Sequence, residues 1–151
     1  MHLRSYEPTD LHAVRQLFRE TVERVNWRDY SPEQVAAWIG NDDRVTRDRW
    51  QKSLLTHQTL VAVEDATLLG FADMTATGYL DRLYVHYAHQ GRGIARSLVR
   101  TLEEQVAANR YQTYASITAR PFFEREGYRL IRETVVERAG VNLLNFEMQK
   151  N

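Results

Sequence analysis

Leu80-Asp-Arg-Leu-Tyr-Val-His-Tyr-Ala-His-Gln-Gly-Arg-Gly-Ile-Ala-Arg-Ser-Leu98 carries more structural information than any other part of the chain. A β-rich run ends near Val85, a short loop follows, and two glycines lead directly into residues with helical spacing. The N–H groups of a helix's first turn have no partner inside the helix, and they converge where the macrodipole favours negative charge. Gly91 and Gly93 permit positive φ and remove side chains that would hold a phosphate off the backbone. Arg92 and Arg96 add positive charge at the rim. The glycines by themselves are equally consistent with a plain strand–turn–helix joint. Two familiar phosphate loops do not fit. The only lysines, Lys52 and Lys150, exclude a Gly-Lys-Ser/Thr loop, and Arg96 stands where the third glycine of Gly-x-Gly-x-x-Gly would fall.

Upstream of this joint, Leu3 to Tyr6 reads as a strand stopped by Pro8. Thr9 or Asp10 is positioned to cap a helix whose Leu11, Val14, Leu17, Phe18, Val22 and Val25 form one apolar stripe. Asn26 to Tyr30 reads as a loop. Ser31-Pro-Glu-Gln34 then has the residues of a capping box, and the helix it opens carries Val35, Trp38 and Ile39 and stops at Gly40. Trp38 is expected in the core. A further stretch from about Asp43 to Leu55 has weaker, mostly polar helical character and stays outside the element order. Thr59–Val63, Leu68–Met74 and Tyr79–Val85 are β-rich runs separated by short polar turns, the spacing of an antiparallel meander. Beyond Gly93, Ile94, Leu98, Leu102 and Val106 share one helix face. Tyr111–Ala115 reads as a strand, Pro121–Glu126 as a short helix, and Arg129–Glu137 with Val141–Met148 as a hairpin around Ala139-Gly140. The order β-α-α-β-β-β-α-β-α-β-β indicates an α+β domain with a mixed sheet, spanning 1–151 as a single unit.

Composition narrows the function. Twenty Lys+Arg balance twenty Asp+Glu, so no broad field draws the chain to phosphate backbones or anionic lipid, and general nucleic-acid or membrane binding is not expected. With no cysteine there is no disulfide, thiolate zinc site or cysteine nucleophile. The longest apolar run, Val35-Ala-Ala-Trp-Ile39, is far short of the ~18 residues of a membrane span. The N-terminus has no apolar signal-peptide core, and a cytoplasmic protein, monomer or homodimer, is expected. His86 and His89 flank the glycine turn without acidic or cysteine ligands nearby, so they read as solvated loop residues and no metal is expected.

Gln90-Gly-Arg-Gly93-Ile-Ala95 resembles the Gln/Arg-x-x-Gly-x-Gly/Ala signature of the GNAT superfamily of acyl-CoA N-acyltransferases, and the Leu83-Tyr-Val85 strand end before it is similar to that family's motif. Ala119-Arg-Pro-Phe122-Phe-Glu-Arg-Glu-Gly127-Tyr128 is similar to the second hallmark, Ala-x-x-Phe-Tyr-x-x-x-Gly-Phe. Order and separation match too, so the resemblance covers essentially the whole chain. It implies a three-layer fold, with a central mixed, mostly antiparallel sheet flanked by helices, and acetyl-CoA as co-substrate. Backbone N–H groups over Gly91, Arg92, Gly93, Ile94, Ala95 and Arg96 would hold the pyrophosphate. The strand end at Leu83, Tyr84 and Val85 would pair with the pantetheine arm. The Val85 N–H would lie near the thioester carbonyl, where it stabilises an oxyanion. An amine, of a small molecule or a protein, would attack directly while both substrates are bound. Two positions depart from the pattern. Phe123, which cannot donate a proton, replaces the tyrosine proposed to protonate the leaving thiolate, and Ser116, still able to hydrogen-bond the cofactor arm, replaces the asparagine that often opens the second motif.

An alkylammonium has a pKa of ~10.4, so a base must take its proton before attack. Strict alternation places Tyr79, Asp81, Leu83 and Val85 on one strand face, which makes Asp81 the first candidate; Asp73 is the second, with a structural role as its competing reading. Asp81 has a plainer reading as a partner of Arg82. Trp27, Asp29 and Tyr30 fall where the family usually forms its acceptor pocket, and an aromatic-plus-acid loop suits a cationic amine, although Trp27 and Tyr30 could simply pack beneath the helices. Tyr79 completes the candidate acceptor set. The leading alternative is a non-catalytic acyl-CoA-binding module, favoured by Phe123. An acetyltransferase acting on charged tRNA would need a basic face, which the charge balance disfavours.

Overall fold

A computed structural model describes residues 1–151. Its elements, in chain order, are β1 (His2–Ser5), α1 (Leu11–Arg24), α2 (Pro32–Ile39), α3 (Arg44–Thr56), β2 (Gln58–Glu64), β3 (Thr67–Met74), β4 (Tyr79–Val85), α4 (Ile94–Val106), β5 (Tyr111–Ser116), α5 (Arg120–Arg125), β6 (Arg129–Arg138) and β7 (Val141–Lys150). The strands form one mixed sheet in the order β1-β2-β3-β4-β5-β7-β6, antiparallel everywhere except between β4 and β5.

Alternation along the strands sends side chains into two cores. Val61, Val63 and Phe71 meet Val14, Leu17, Phe18 and Val22 of α1 and Leu54 of α3 on one face. Leu60, Ala72, Met74 and Leu80 meet Ile94, Leu98, Val99 and Leu102 of α4, with Phe123 of α5, on the other. Those four α4 residues are all at most 2% exposed, and each contributes about 2 kcal/mol by leaving water. The result is three layers, α1–α3, sheet, and α4–α5.

The α2 start behaves as its residues dictate: Gln34 N–H donates to Ser31 Oγ at 3.1 Å, and Ser31 N–H donates to Gln34 Oε1 at 2.9 Å. Two expectations need correcting. Three helices, not two, separate β1 from β2, because Asp43 caps α3 by accepting from Thr46 N–H at 2.8 Å and a thin stripe of Trp50 and Leu54 suffices to dock it. Asp10 does not cap α1 through its side chain. Its carboxylate turns back to Arg4 at 2.8 Å and closes a 3-10 turn over Pro8–Asp10.

For function, the seam between β4 and β5 matters most. These strands pair only at Tyr79↔Gln112 and Leu80↔Thr113 and then part, while β4 remains paired with β3 as far as Val85. The remaining edge of β4, from Asp81 to Val85, opens into a cleft.

Candidate active site

The cleft between the parted strands encloses about 610 Å³ and is lined by Leu83, Tyr84 and Val85 on one side, Ala115 and Ser116 on the other, and the Gly91–Arg96 turn. The end of β4 is held firmly. The Val85 carbonyl accepts from Gln90 Nε2 at 2.6 Å and Thr21 Oγ1 at 3.3 Å, and His86 N–H donates to Leu69 O at 2.8 Å. Gln90, the residue that opens the first motif, thus ties the glycine turn back to the strand it follows. Gly91 and Gly93 adopt φ of +74° and +80°, and a Cβ on either would meet no atom within 4 Å. The cradle is open on the side where a phosphate would approach, and Gly93 leads directly into the first turn of α4. A pyrophosphate fits this combination of accessible backbone and unpaired helical N–H groups.

The two rim arginines differ. Arg96 lines the cleft, 3.7 Å from Glu126, whereas the Arg92 side chain turns away to Glu64 at 2.8 Å and His89 at 2.7 Å. Only the Arg92 backbone remains available to the cradle. Ser116 Oγ accepts from Ala119 N–H at 3.0 Å, which fixes the loop before α5 at the cleft wall. Phe123 is 3% exposed and packs edge-on against Phe122 and Tyr128, with no hydroxyl to offer.

Strict alternation fails on β4. Asp73 faces Arg82 but Met74 faces Leu80, so Asp81 is an extra residue in a bulge. Leu80, Leu83 and Val85 consequently belong to the α4 side, while Tyr84 packs on Phe71 and Phe18 toward α1. Asp81 therefore does not share a face with Leu83 and Val85. Its carboxylate lies 3.6 Å from Arg82, and ligand atoms of Asp81, His57 and Asp73 fall within 4.8 Å of one another. Arg82 supplies the cation of this cluster. It donates to Asp73 Oδ2 at 2.6 Å and to Ser53 Oγ at 3.2 Å, and stacks on Trp50 at 4.4 Å. His57 Nδ1 meets the same Asp73 oxygen at 2.7 Å, and this bond raises the His57 pKa above its ordinary 6.5. Asp73 has no solvent exposure and its Oδ1 is unpartnered, so it cannot reach an acceptor in the cleft.

A second cavity of about 390 Å³ adjoins the first. Trp38, Asp81, Tyr84, Tyr114 and Ser116 line both, and so mark the junction. Tyr30 and Tyr79 line the second cavity. Burial, with Asp81 adding to it, pushes the Tyr79 phenol up to about 12, so it remains protonated at neutral pH. Tyr30 is a strut as well as a wall: its hydroxyl donates to Leu144 O and accepts from Ile117 N–H, both at 2.9 Å. Trp27 and Asp29 line neither cavity. Trp27 is 56% exposed with its Nε1 donating to Arg24 O, and Asp29 accepts from Thr118 Oγ1 at 2.7 Å. Trp38 is a partial correction, since it packs at the margin of the α1-side core yet presents its indole at the junction, donating to Tyr84 Oη at 3.2 Å. Tyr114 escaped sequence reasoning. Its one available signal was an exposed aromatic alternating with buried Thr113 and Ala115 on a strand beside the second motif.

Residues 26–150 match the Acetyltransferase (GNAT) domain family. The uncharacterized N-acetyltransferase YafP of Escherichia coli (strain K12) is 32% identical over 149 residues, 99% of this chain and 95% of that protein. A crystal structure of a GCN5-related N-acetyltransferase ("Aminotransferase, Class-II") from Rhodopseudomonas palustris superposes with a TM-score of 0.94 at 30% identity, covering 99% of this chain and 94% of that one. The PaiA N-acetyltransferase of Thermoplasma acidophilum, solved in complex with coenzyme A, shares the fold at a TM-score of 0.80 and 19% identity, with 99% and 98% covered.

Proposed function

The chain belongs to the GNAT acetyltransferase family, and from that premise we propose that residues 1–151 act as one N-acetyltransferase domain, moving an acetyl group from acetyl-CoA to a primary amine by direct attack in a ternary complex. One observation carries the reading: β4 and β5 part at Leu80, and Asp81 stands where the cleft so formed meets a second cavity. Coenzyme A in the structure of the Thermoplasma relative supports acyl-CoA as the donor.

The backbone from Gly91 to Arg96 binds the pyrophosphate, with Arg96 adding charge, and the free edge at Leu83–Val85 pairs with the pantetheine arm. Ser116 bounds the arm on the β5 side. Asp81, directly or through a water, takes a proton from the ammonium, whose pKa of ~10.4 otherwise keeps the nitrogen pair unavailable. The new N–C bond then forms as the C–S bond breaks, and the nitrogen's second proton passes to solvent, leaving a neutral amide. The Val85 N–H stabilises the oxygen that carries charge during this exchange, and the hydrogen bonds on the Val85 carbonyl pin the next peptide, which limits movement of the Val85 backbone. Phe123 supplies no proton. A thiol with a pKa of ~8.5 leaves as thiolate and takes its proton from solvent. Tyr30 and Tyr79 wall the amine's cavity, and Asp73 acts only through Arg82 and His57.

Calorimetry with coenzyme A and thiol release from acetyl-CoA with a panel of amines test this reading. Micromolar binding and amine-dependent thiol release are expected. Tight binding with thiol release no faster than background hydrolysis would make the chain an acyl-CoA-binding module instead.

A further inference from the structure

The second cavity has an unusual charge pattern. Among its fourteen lining residues only Asp81 and Arg138 are charged, one of each sign. Five of the remainder, Tyr30, Trp38, Tyr79, Tyr84 and Tyr114, are aromatic, and Val135, Val136, Leu143 and Leu144 are aliphatic. The lining is therefore neutral overall, apolar along its walls, and dipolar. Burial raises the Tyr84 phenol most, the Trp38 hydrogen bond and the Arg82 charge lower it, and smaller opposing effects of Asp81, raising, and Arg138, lowering, reach the same hydroxyl. Arg138, at the end of β6, enters no salt bridge within the chain, whereas Arg132 on the same strand is bonded to Glu147 at 2.8 Å.

These features discriminate among amines. A polyamine or other polycation would find one carboxylate for its several ammonium groups and would bring a positive charge toward Arg138. A plain monoamine would satisfy Asp81 and leave the guanidinium facing an apolar body. An amine that also carries an anionic group satisfies both: its ammonium lies at Asp81, where the two cavities join, and its anion pairs with a guanidinium whose planar fork suits a carboxylate. The aromatic and aliphatic walls take an apolar side chain rather than a polar one.

We infer that the acceptor is a zwitterionic amine with an apolar body, of the amino-acid type, held between Asp81 and Arg138. This rests on the acetyl-transfer reading and goes further by naming the class of acceptor. The test compares matched pairs at saturating acetyl-CoA: phenylalanine against phenethylamine, leucine against 3-methylbutylamine, and spermidine as the polycation. A kcat/KM at least about tenfold higher for each amino acid than for its decarboxylated partner is expected, with spermidine poorest. In Arg138→Gln the preference should collapse to within about threefold through KM rather than kcat. Equilibrium binding of the same pairs to the coenzyme A-loaded protein, read by calorimetry, gives the same ranking without turnover. Decarboxylated amines or spermidine favoured in either assay, or a preference unchanged in Arg138→Gln, overturns the inference. Ranked binding without thiol release would overturn the catalytic reading while leaving the specificity of the cavity in place.

Discussion

Asp73 accepts from two cationic groups on a single oxygen, with no access to water. Such an arrangement is asymmetric in energy: removing the carboxylate leaves the largely buried Arg82 charge without its hydrogen-bonded partner, with only the Asp81 carboxylate 3.6 Å away. Asp73→Ala is expected to cost about 3–5 kcal/mol in denaturant unfolding, and a loss below about 1 kcal/mol would show that Arg82 finds water instead. His57 gives the network a pH signature. Its pKa is raised in the folded state by the bond to Asp73, so its stabilising contribution is complete below the ordinary value of 6.5 and is lost as pH rises through the folded value. Melting temperatures measured from pH 6 to 9 should therefore fall more steeply for the native chain than for His57→Gln; parallel profiles would remove His57 from the account. Asp81 is the other kind of residue, with 31% of its side chain exposed where the two cavities join, and it is the base in the proposed transfer. Asp81→Asn should reduce kcat by about 100-fold or more and leave coenzyme A affinity unchanged. A kcat within about threefold of the native value would mean that solvent alone takes the proton.

At the scale of elements, the glycine turn and α4 form one unit. Gly93 combines φ of +80° with open space at its Cβ position, so a side chain there is strained without being crowded. Gly93→Ala is expected to cost about 1–2 kcal/mol of stability with coenzyme A binding weakened, while Gly93→Glu, placing a carboxylate at the pyrophosphate, should abolish binding in a protein that still folds. Retained affinity in folded Gly93→Glu would move the phosphate site elsewhere. This unit was legible in the sequence because glycine spacing and helical periodicity are local signals, as were all seven strands and the Ser31 capping box. Other features depend on partners distant in sequence. The Asp81 bulge arises from how β4 meets Asp73 and Met74 on β3, so alternation along β4 alone assigns Asp81 to the wrong face. Arg92 looks like a phosphate ligand until Glu64, 28 residues earlier, captures it. α3 is mostly polar and docks through Trp50 and Leu54, a stripe so narrow that its helical signal in the sequence is weak. The glycine turn and the end of β4 are contiguous in sequence and could be read; the second cavity is assembled from α2, β4, β5, β6 and β7. Of its lining the sequence points to Tyr30 and Tyr79 for an acceptor and to Asp81 for a base, and leaves Tyr114, Arg138 and the β6 and β7 residues unmarked.

Over the whole molecule, the sheet consists of a four-stranded block, β1 to β4, and a three-stranded block, β5, β7 and β6. Two paired positions join them, helped by Thr113 Oγ1 donating to Leu80 O at 3.0 Å and by α5 reaching the α4-side core through Phe123. A ligand lying in the cleft touches both blocks. Coenzyme A at a hundred times its Kd should add about 2.7 kcal/mol to unfolding, and amide exchange should slow in both β4 and β5 rather than in β4 alone. Protection confined to the β4 side would mean that the cofactor does not bridge the seam. Where rungs are missing between these two strands, whatever lies in the cleft supplies contacts that the sheet itself lacks, so a bound cargo would serve as a temporary part of the scaffold.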